Sequence, residues 1–506
     1  MDLFPHRCFD IVIKKGRAID PETRTDAIAN VGIIDGRICA IVPADQDLEG
    51  KDVIDASGLV ITPGFIDIHS HEIWSPHQLT MQCFVSDGVT TQIGGNCGIQ
   101  NSYLYPLGDY FNKLDQEGCL INYASYCGYT SMRERVGAKN PYESATLRQI
   151  EEMKAMAAQE MQAGALGISY GIMYAPGISY EELLAMAKVA SRYGGLTAAH
   201  ARCGWDSPEA VESVMEMIQL SRDSGIPHQY SHIGSMAGYG DVMDRCLEVL
   251  NAAQAEGIRI CSDVYPYEAW QTLLGSALLD EGFFERYECK YSDLEAGSEV
   301  VIDGEVVMSA GDRFTQHLFE QVRGSVLKRK INDPFVIGHI IRPDKVKLAM
   351  LNPYVMICSD GGVTQDSATG MLSAHPRTSG TYARFLGRYV REEGLIDLVS
   401  ALFKCSALPA KVLGLGNKGK LAVGADADIT IFNPDTIIDK ATFGAGALTP
   451  PEGIDYVIVN GVITVHKGKV IPDVKAGNPI RRTWTIEGYS GYGRSTKRNI
   501  EDRVYI

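Results

Sequence analysis

The feature that most constrains this chain is an alternation through its middle, where short apolar runs are separated by helical patterns. The runs fall at residues 61–68, 89–93, 121–126, 165–169, 196–199, 226–231, 258–262 and 354–359. Apolar runs of this length, bounded by turn residues, read as strands covered on both faces, and strands separated by helices pair in parallel. Eight of them is the count of a (β/α)8 TIM barrel. Residues 335–341 are a ninth candidate. The helices carry their own signals. Thr146-Leu147-Arg148-Gln149 is a capping box that opens a stripe of Leu147, Ile150, Met153, Ala157 and Met161. Ser179 with Glu182 caps the next helix, which runs to Gly194-Gly195, and Ser207-Pro208 opens another that Gly225 closes.

Both ends of the chain have a different texture. Residues 9–13 alternate, and Asp35-Gly36 is a hairpin turn between the runs 31–34 and 37–41. Residues 426–432 and 457–465 read the same way, the second broken by Asn460-Gly461. The expected fold class is therefore α/β: a barrel over 61–415 with a small β-sandwich domain built from both termini, 1–60 plus 416–480. Residues 281–329 are charged and weakly periodic, and are expected to be an inserted lid within the barrel. Residues 481–506 are expected to be a C-terminal tail.

With 506 residues, 45% of them hydrophobic, the chain has ample material for a large core and two or three domains. A formal net charge of −16 without a Lys/Arg block argues against nucleic acid and anionic membranes as partners. The segment Met1 to Arg7 lacks a signal-peptide apolar core, and no apolar run approaches membrane-spanning length. The 12 cysteines follow no small-domain framework, so reduced thiols and a cytoplasmic location are expected.

Chemistry-bearing residues gather at the ends of the strands. Run 61–68 ends in Asp67-Ile68-His69-Ser70-His71, and at the two-residue period of a strand His69 and His71 project to one side. His200 and His232, one strand–helix unit apart, and Asp360 follow later strands in the same way. Any one of them alone reads as readily as a hydrogen-bonded core histidine or a turn aspartate. Four histidines and an aspartate at strand carboxyl ends point instead to a metal site. Cys97, in Gly94-Gly95-Asn96-Cys97-Gly98, is either a small buried turn residue or a thiolate ligand. Thiolate beside imidazole suits Zn²⁺, and the donors suffice for one or two ions. A bound zinc brings the pKa of its water to about 7, and Asp360 would take that water's proton and pass it to a leaving nitrogen. Asp67 either orients a ligand or serves a turn.

The stretch Pro63-Gly64-Phe65-Ile66-Asp67-Ile68-His69-Ser70-His71, with late strand-end histidines and Ser359-Asp360-Gly361, resembles the amidohydrolase superfamily. The finer pattern resembles its D-aminoacylase (N-acyl-D-amino-acid deacylase) branch. It is carried by Gly95-Asn96-Cys97-Gly98, by the eight residues from Tyr170 to Gly177, by His200-Ala201-Arg202 and by Ser231-His232. Asp263-Val264-Tyr265-Pro266-Tyr267, His375-Pro376-Arg377 and the C-terminal Gly419-Lys420-Leu421 complete it. The resemblance implies a zinc hydrolase of amide bonds, with Cys97 in place of the carboxylated lysine common in the superfamily. It further implies that Cys97, His200 and His232 hold a tighter zinc, and that His69, His71 and Asp360 face a second, weaker position. Arg377 would grip a substrate carboxylate with help from Tyr265, in contrast to a solvent-exposed arginine. The chain departs from the pattern at Gly234, where the branch has a lysine, at Gln271, where it has a serine, and at Cys203-Gly204, where it has an acidic pair.

Hydrolysis of an N-acyl-D-amino acid to a carboxylate and a D-amino acid is the leading expectation, with a small-molecule amide as partner and a homo-oligomer left open. Gly234 and Gln271 motivate a second reading, the opening of a cyclic amide as hydantoinases and dihydroorotases do. A third is a non-catalytic scaffold with an amidohydrolase fold, which the full set of candidate ligands disfavours.

Overall fold

The short parallel strands anticipated from the sequence are present, in sequence order, in the computed structural model, which describes residues 8–71, 77–100, 106–202, 210–365, 372–485 and 488–492. Three of them, Phe65–Asp67, Val89–Gly94 and Asn122–Ser125, form one parallel sheet. Cys127–Gly128, Gly167–Gly171, Leu196–His200, His228–Tyr230, Ile260–Val264 and Val355–Ile357 form a second. They are not one closed sheet among the described residues. The two sheets meet at Tyr126, whose N–H donates to Gly94 O at 3.0 Å. At the far edges a bridge pairs Ser70 with Gly361, Asp360 N–H donates to His69 O at 2.8 Å, and His71 N–H donates to Gly361 O at 2.7 Å. This is an α/β arrangement of parallel strands and helices. Nearly every strand residue is buried, which explains why the runs lacked alternation.

The expected first strand is a correction. Residues 61–68 are two strands parted at Gly64, whose Cβ, were there one, would fall 2.2 Å from the Thr90 side chain. Val60–Pro63 lies in a separate nine-stranded sheet assembled from both ends of the chain. There it runs antiparallel to Ile429–Phe432 and parallel to Phe9–Asp20, so it stitches N-terminal to C-terminal strands. Both hairpin turns form in that sheet. Asp35-Gly36 has φ of 49° and 72°, and Asn460-Gly461 has 47° and 78°, the paired positive values that a two-residue turn of this hand requires. Ile11, Ile13, Val31, Ile61, Ile431 and Ile458 form its core.

The ninth candidate, Phe335–Gly338, is not part of the parallel array. It pairs antiparallel with Trp270–Leu273 and Leu294–Ala296. Residues 281–329 are more ordered than their composition suggested: they hold a hairpin, Val300–Ile302 with Glu305–Met308, and a helix, Gln316–Leu327, capped by Thr315. That helix is tied down by Arg323, which reaches Asp280 at 2.5 Å, and Asp280 also accepts from Tyr142 Oη at 2.6 Å.

The capping boxes at Thr146/Gln149 and Ser179/Glu182 both form, and Gly225, at φ 71°, follows the helix Ala210–Ser224. Leu147 does not join its predicted stripe and is 84% exposed. At the first helical position it points away from the buried face of Ile150, Met153, Ala157 and Met161. Ser207-Pro208 lies outside the described residues. The expected tail begins as structure: Arg482 N–H donates to Gly164 O at 2.9 Å, and Arg482–Thr485 pairs with Gly488–Tyr492. Among the described residues no helix is long and apolar enough to cross a membrane.

Candidate metal centre

Parallel strands place all their carboxyl ends on one rim, so residues distant in sequence that follow those ends become neighbours. His200 is the last residue of its strand; His69 and His232 lie two residues past theirs, and Cys97 and Asp360 three. Three of these leave the strand in left-handed backbone, with φ of 53° at Cys97, 35° at His232 and 47° at Asp360. A non-glycine residue held there costs on the order of 1–3 kcal/mol, and such strain concentrates where a side chain must be aimed.

The aimed side chains converge. Cys97 Sγ lies 3.3 Å from His69 Nε2 and 3.6 Å from His232 Nε2, and His232 Nε2 lies 3.1 Å from His200 Nδ1. Asp360 Oδ1 is 2.9 Å from His71 Nε2 and 3.3 Å from His69 Nε2. Two ligand groups result, Cys97 with His200 and His232, and His69, His71 and Asp360 with the same Cys97. Within each group the donor atoms lie within 4.8 Å of one another. Bonds of about 2.0–2.3 Å in a tetrahedron put ligand atoms roughly 3.3–3.7 Å apart, so the spacing fits zinc, as does the sulfur and nitrogen chemistry.

The electrostatics fit a cation as well. Burial opposes ionisation of Cys97 and Asp360, yet surrounding imidazoles hold the thiol well below its usual range, and Arg377, His232 and His69 do the same for the carboxyl. Burial would depress His69 and His71 in turn, but Cys97 and Asp360, with Asp263 beside His69, push His69 well above its ordinary value and His71 up to about 9. Burial and the neighbouring His232 push His200 down. In the absence of metal, protons on imidazoles balance two buried anions. A divalent ion supplies that positive charge and displaces those protons.

Beside this cluster, Arg377 is buried, its guanidinium NH1 2.9 Å from Asp360 Oδ2 and its plane 4.5 Å from the Tyr265 ring centroid. Its backbone N–H donates to His375 Nδ1 at 3.1 Å. Asp67 accepts backbone N–H groups from His69 and Ser359 at 3.3 and 3.0 Å, so it braces the turns that carry ligands. Burial pushes its carboxyl up to about 6. At Gly234 a Cβ would meet one neighbour, Val264 Cγ2 at 3.0 Å. Gln271 sits on the strand Trp270–Leu273, and Cys203-Gly204 falls outside the described residues.

Sequence reasoning gave no role to Asp263, Ser235, Tyr174 or His375. The Tyr174 ring stands edge-on to His200 at 4.7 Å, and Ser235 Oγ lies 2.9 Å from His232 Nδ1. Asp263 shared the one available signal, a charged residue near the carboxyl end of an apolar run.

Residues 336–464 match the family model described as "Amidohydrolase family". The chain is 31% identical to the N-acyl-D-glutamate deacylase of Alcaligenes xylosoxydans xylosoxydans, over 96% of its own length and 99% of that protein's. It is 30% identical to the D-aminoacylase of the same organism, with 94% and 98% covered. Among solved structures, the N-acyl-D-glutamate deacylase from Bordetella bronchiseptica, complexed with zinc and a phosphonate mimic of the tetrahedral intermediate, superposes with a TM-score of 0.79 at 28% identity. That match covers 94% of this chain and 99% of the other. The chain belongs to the amidohydrolase superfamily, in its D-aminoacylase branch.

Proposed function

We propose that this protein is a zinc-dependent amidohydrolase that cleaves an N-acyl-D-amino acid to a carboxylate and a D-amino acid. The observation that carries the reading is the meeting of Cys97, four histidines and Asp360 at one rim, beside a buried arginine. Cys97, His200 and His232 would hold the tighter zinc, and His69, His71 and Asp360 would offer a second, weaker position. Zinc in this donor set supplies Lewis acidity, which polarises an amide carbonyl and makes water nucleophilic near neutral pH. Asp360 accepts the proton of the attacking water and returns it to the amide nitrogen as the C–N bond breaks. Its two oxygens are held apart for this, Oδ1 by His71 and Oδ2 by Arg377, each at 2.9 Å. Arg377, stacked on Tyr265, offers its remaining donors to the substrate carboxylate, which fixes the scissile amide relative to Asp360.

In the same reading the two parallel sheets are the two parts of a (β/α)8 barrel, with Asn122–Ser125 and Cys127–Gly128 counted as one strand and the barrel starting at Phe65 instead of residue 61. The nine-stranded sheet is the core of a β-sandwich domain from 1–60 and 416–480, residues 281–329 cover the rim, and 481–506 form a C-terminal extension. The same reading keeps the cytoplasmic location expected from the scattered cysteines of the sequence.

The test is a substrate panel. Zinc-loaded protein is expected to release D-amino acids from N-acetyl and N-formyl D-substrates, and Cys97→Ala is expected to lose both bound zinc and turnover. Activity confined to hydantoins, dihydropyrimidines or lactams would move the assignment to cyclic amides. A metal-free parent that Cys97→Ala matches in every respect would make the chain a scaffold.

A further inference from the structure

Asp263 is fully buried at the next-to-last position of the strand Ile260–Val264, directly behind the ligand side chains. Three donors from two other strand ends hydrogen-bond to it, and His69 comes close from a third. Oδ1 takes the backbone N–H of His232 at 2.8 Å and the Cys358 thiol at 3.1 Å, and stands 3.3 Å from His69 Nδ1. Oδ2 takes the Gln229 side-chain amide at 2.6 Å. His69 Nδ1 makes no well-aligned hydrogen bond, but Asp263 Oδ1 stands beside it at 3.3 Å, so a proton on Nδ1 faces the carboxylate. That leaves the Nε2 lone pair of His69 aimed at Cys97 and Asp360.

The backbone contact matters as much. His232 sits at φ 35°, a conformation that must be held from outside, and the bond from its N–H to Asp263 is the hold. The His232 ring is oriented separately. The Ser235 hydroxyl spends its proton on His232 O at 2.9 Å, so its lone pair faces Nδ1–H and frees Nε2. His69 belongs to one ligand group and His232 to the other.

We propose that Asp263 is a positioning residue for the whole metal centre: one carboxylate fixes the His69 ring as the Nδ1–H tautomer and pins the left-handed turn of His232, keeping the two ligand groups in register around Cys97. Partners of this kind behind a metal ligand change metal affinity by about 10–100-fold. The inference rests only on the zinc-binding part of the proposed function and is independent of the substrate.

The experiment compares the full-length parent with Asp263→Asn and Asp263→Ala. Each is stripped with a chelator, then titrated with Zn²⁺ against a chromophoric competitor and with Co²⁺ by visible absorption. Asp263→Asn keeps the volume and removes the charge. It is expected to bind zinc about 10-fold or more weakly and to alter the Co²⁺ bands, with the melting temperature of the metal-free protein close to that of the parent. Asp263→Ala is expected to be weaker still, and should it not fold, Asp263→Asn alone decides. Parent-like zinc affinity and Co²⁺ bands in the variants that fold would overturn the proposal, as would a parent that binds no zinc. The expected zinc titrations with a silent substrate panel would sink the substrate assignment and leave this inference standing.

Discussion

Arg377 and Asp360 show how much depends on single atoms at this site. Each is buried, and the 2.9 Å contact between them joins the candidate carboxylate grip to the candidate proton carrier. A lysine has the charge but not the planar fork, so Arg377→Lys is expected to raise KM for N-acyl-D-amino acids by about ten-fold or more. Steady-state kinetics on a substrate and on its primary-amide analogue would check this, since the analogue lacks the carboxylate and should lose its sensitivity to the change. An unchanged KM for the acid would remove Arg377 from substrate binding. The residues easiest to read were those whose side chains are rare donors at a repeated place, the histidines and Cys97 just past apolar runs. Ser235 escaped because a hydroxyl has no local pattern, and Asp263 because its one signal, a charged residue just past an apolar run, does not say what it holds. Its role is defined by donors arriving from strands 31 to 194 positions away in the chain, such as Gln229, His69 and Cys358.

At the scale of elements, the helix Tyr180–Arg192 shows a cap that does more than cap. Glu182 closes the box with Ser179, and it also accepts from Tyr129 Oη at 2.6 Å, Arg133 NH1 at 2.5 Å and Ala145 N–H at 2.8 Å. Arg133 is buried with it. Ser179→Ala should therefore cost about 1 kcal/mol, the ordinary value of a lost cap. Glu182→Gln strands a buried guanidinium and should cost about 3–5 kcal/mol. Urea unfolding of the two variants would check the ratio, and equal losses would mean that the ion pair contributes nothing beyond the cap. Both boxes were legible because capping is a contact between residues three apart. The split at Gly64 and the antiparallel pairing of Phe335–Gly338 were not legible, because a short apolar run reads the same in any sheet. The order within 281–329 was hidden for a related reason: its strand Leu294–Ala296 pairs with Phe335–Gly338, outside the segment.

Across the whole molecule, stability is expected to carry the mark of one lysine. Lys404 is buried where its ammonium donates to Asn352 O and, at 2.9 Å, to Val355 O, beneath the last parallel strand. Burial pushes it down from 10.5 to about 8. The folded chain therefore holds that proton less tightly than the unfolded chain, so stability rises with pH from about 8 to 10.5 and is lost again as pH falls through 8. Relative to Lys404→Met, the parent should gain about 3 kcal/mol across that window in denaturant titrations, and a difference independent of pH would contradict it. Much of the strand alternation, and the pairing of N-terminal with C-terminal strands, was readable, because burial on two faces and two-residue turns leave clear patterns. The meeting of the outermost parallel strands has a consequence for synthesis. Its two seams, Asp360 to His69 and Gly361 to His71, join residues about 290 positions apart right among the ligands. A ribosome that has delivered Cys97, His200 and His232 has yet to deliver Asp360, so on the proposed assignment the emerging polypeptide presents the donors for one ion before those for the second are complete.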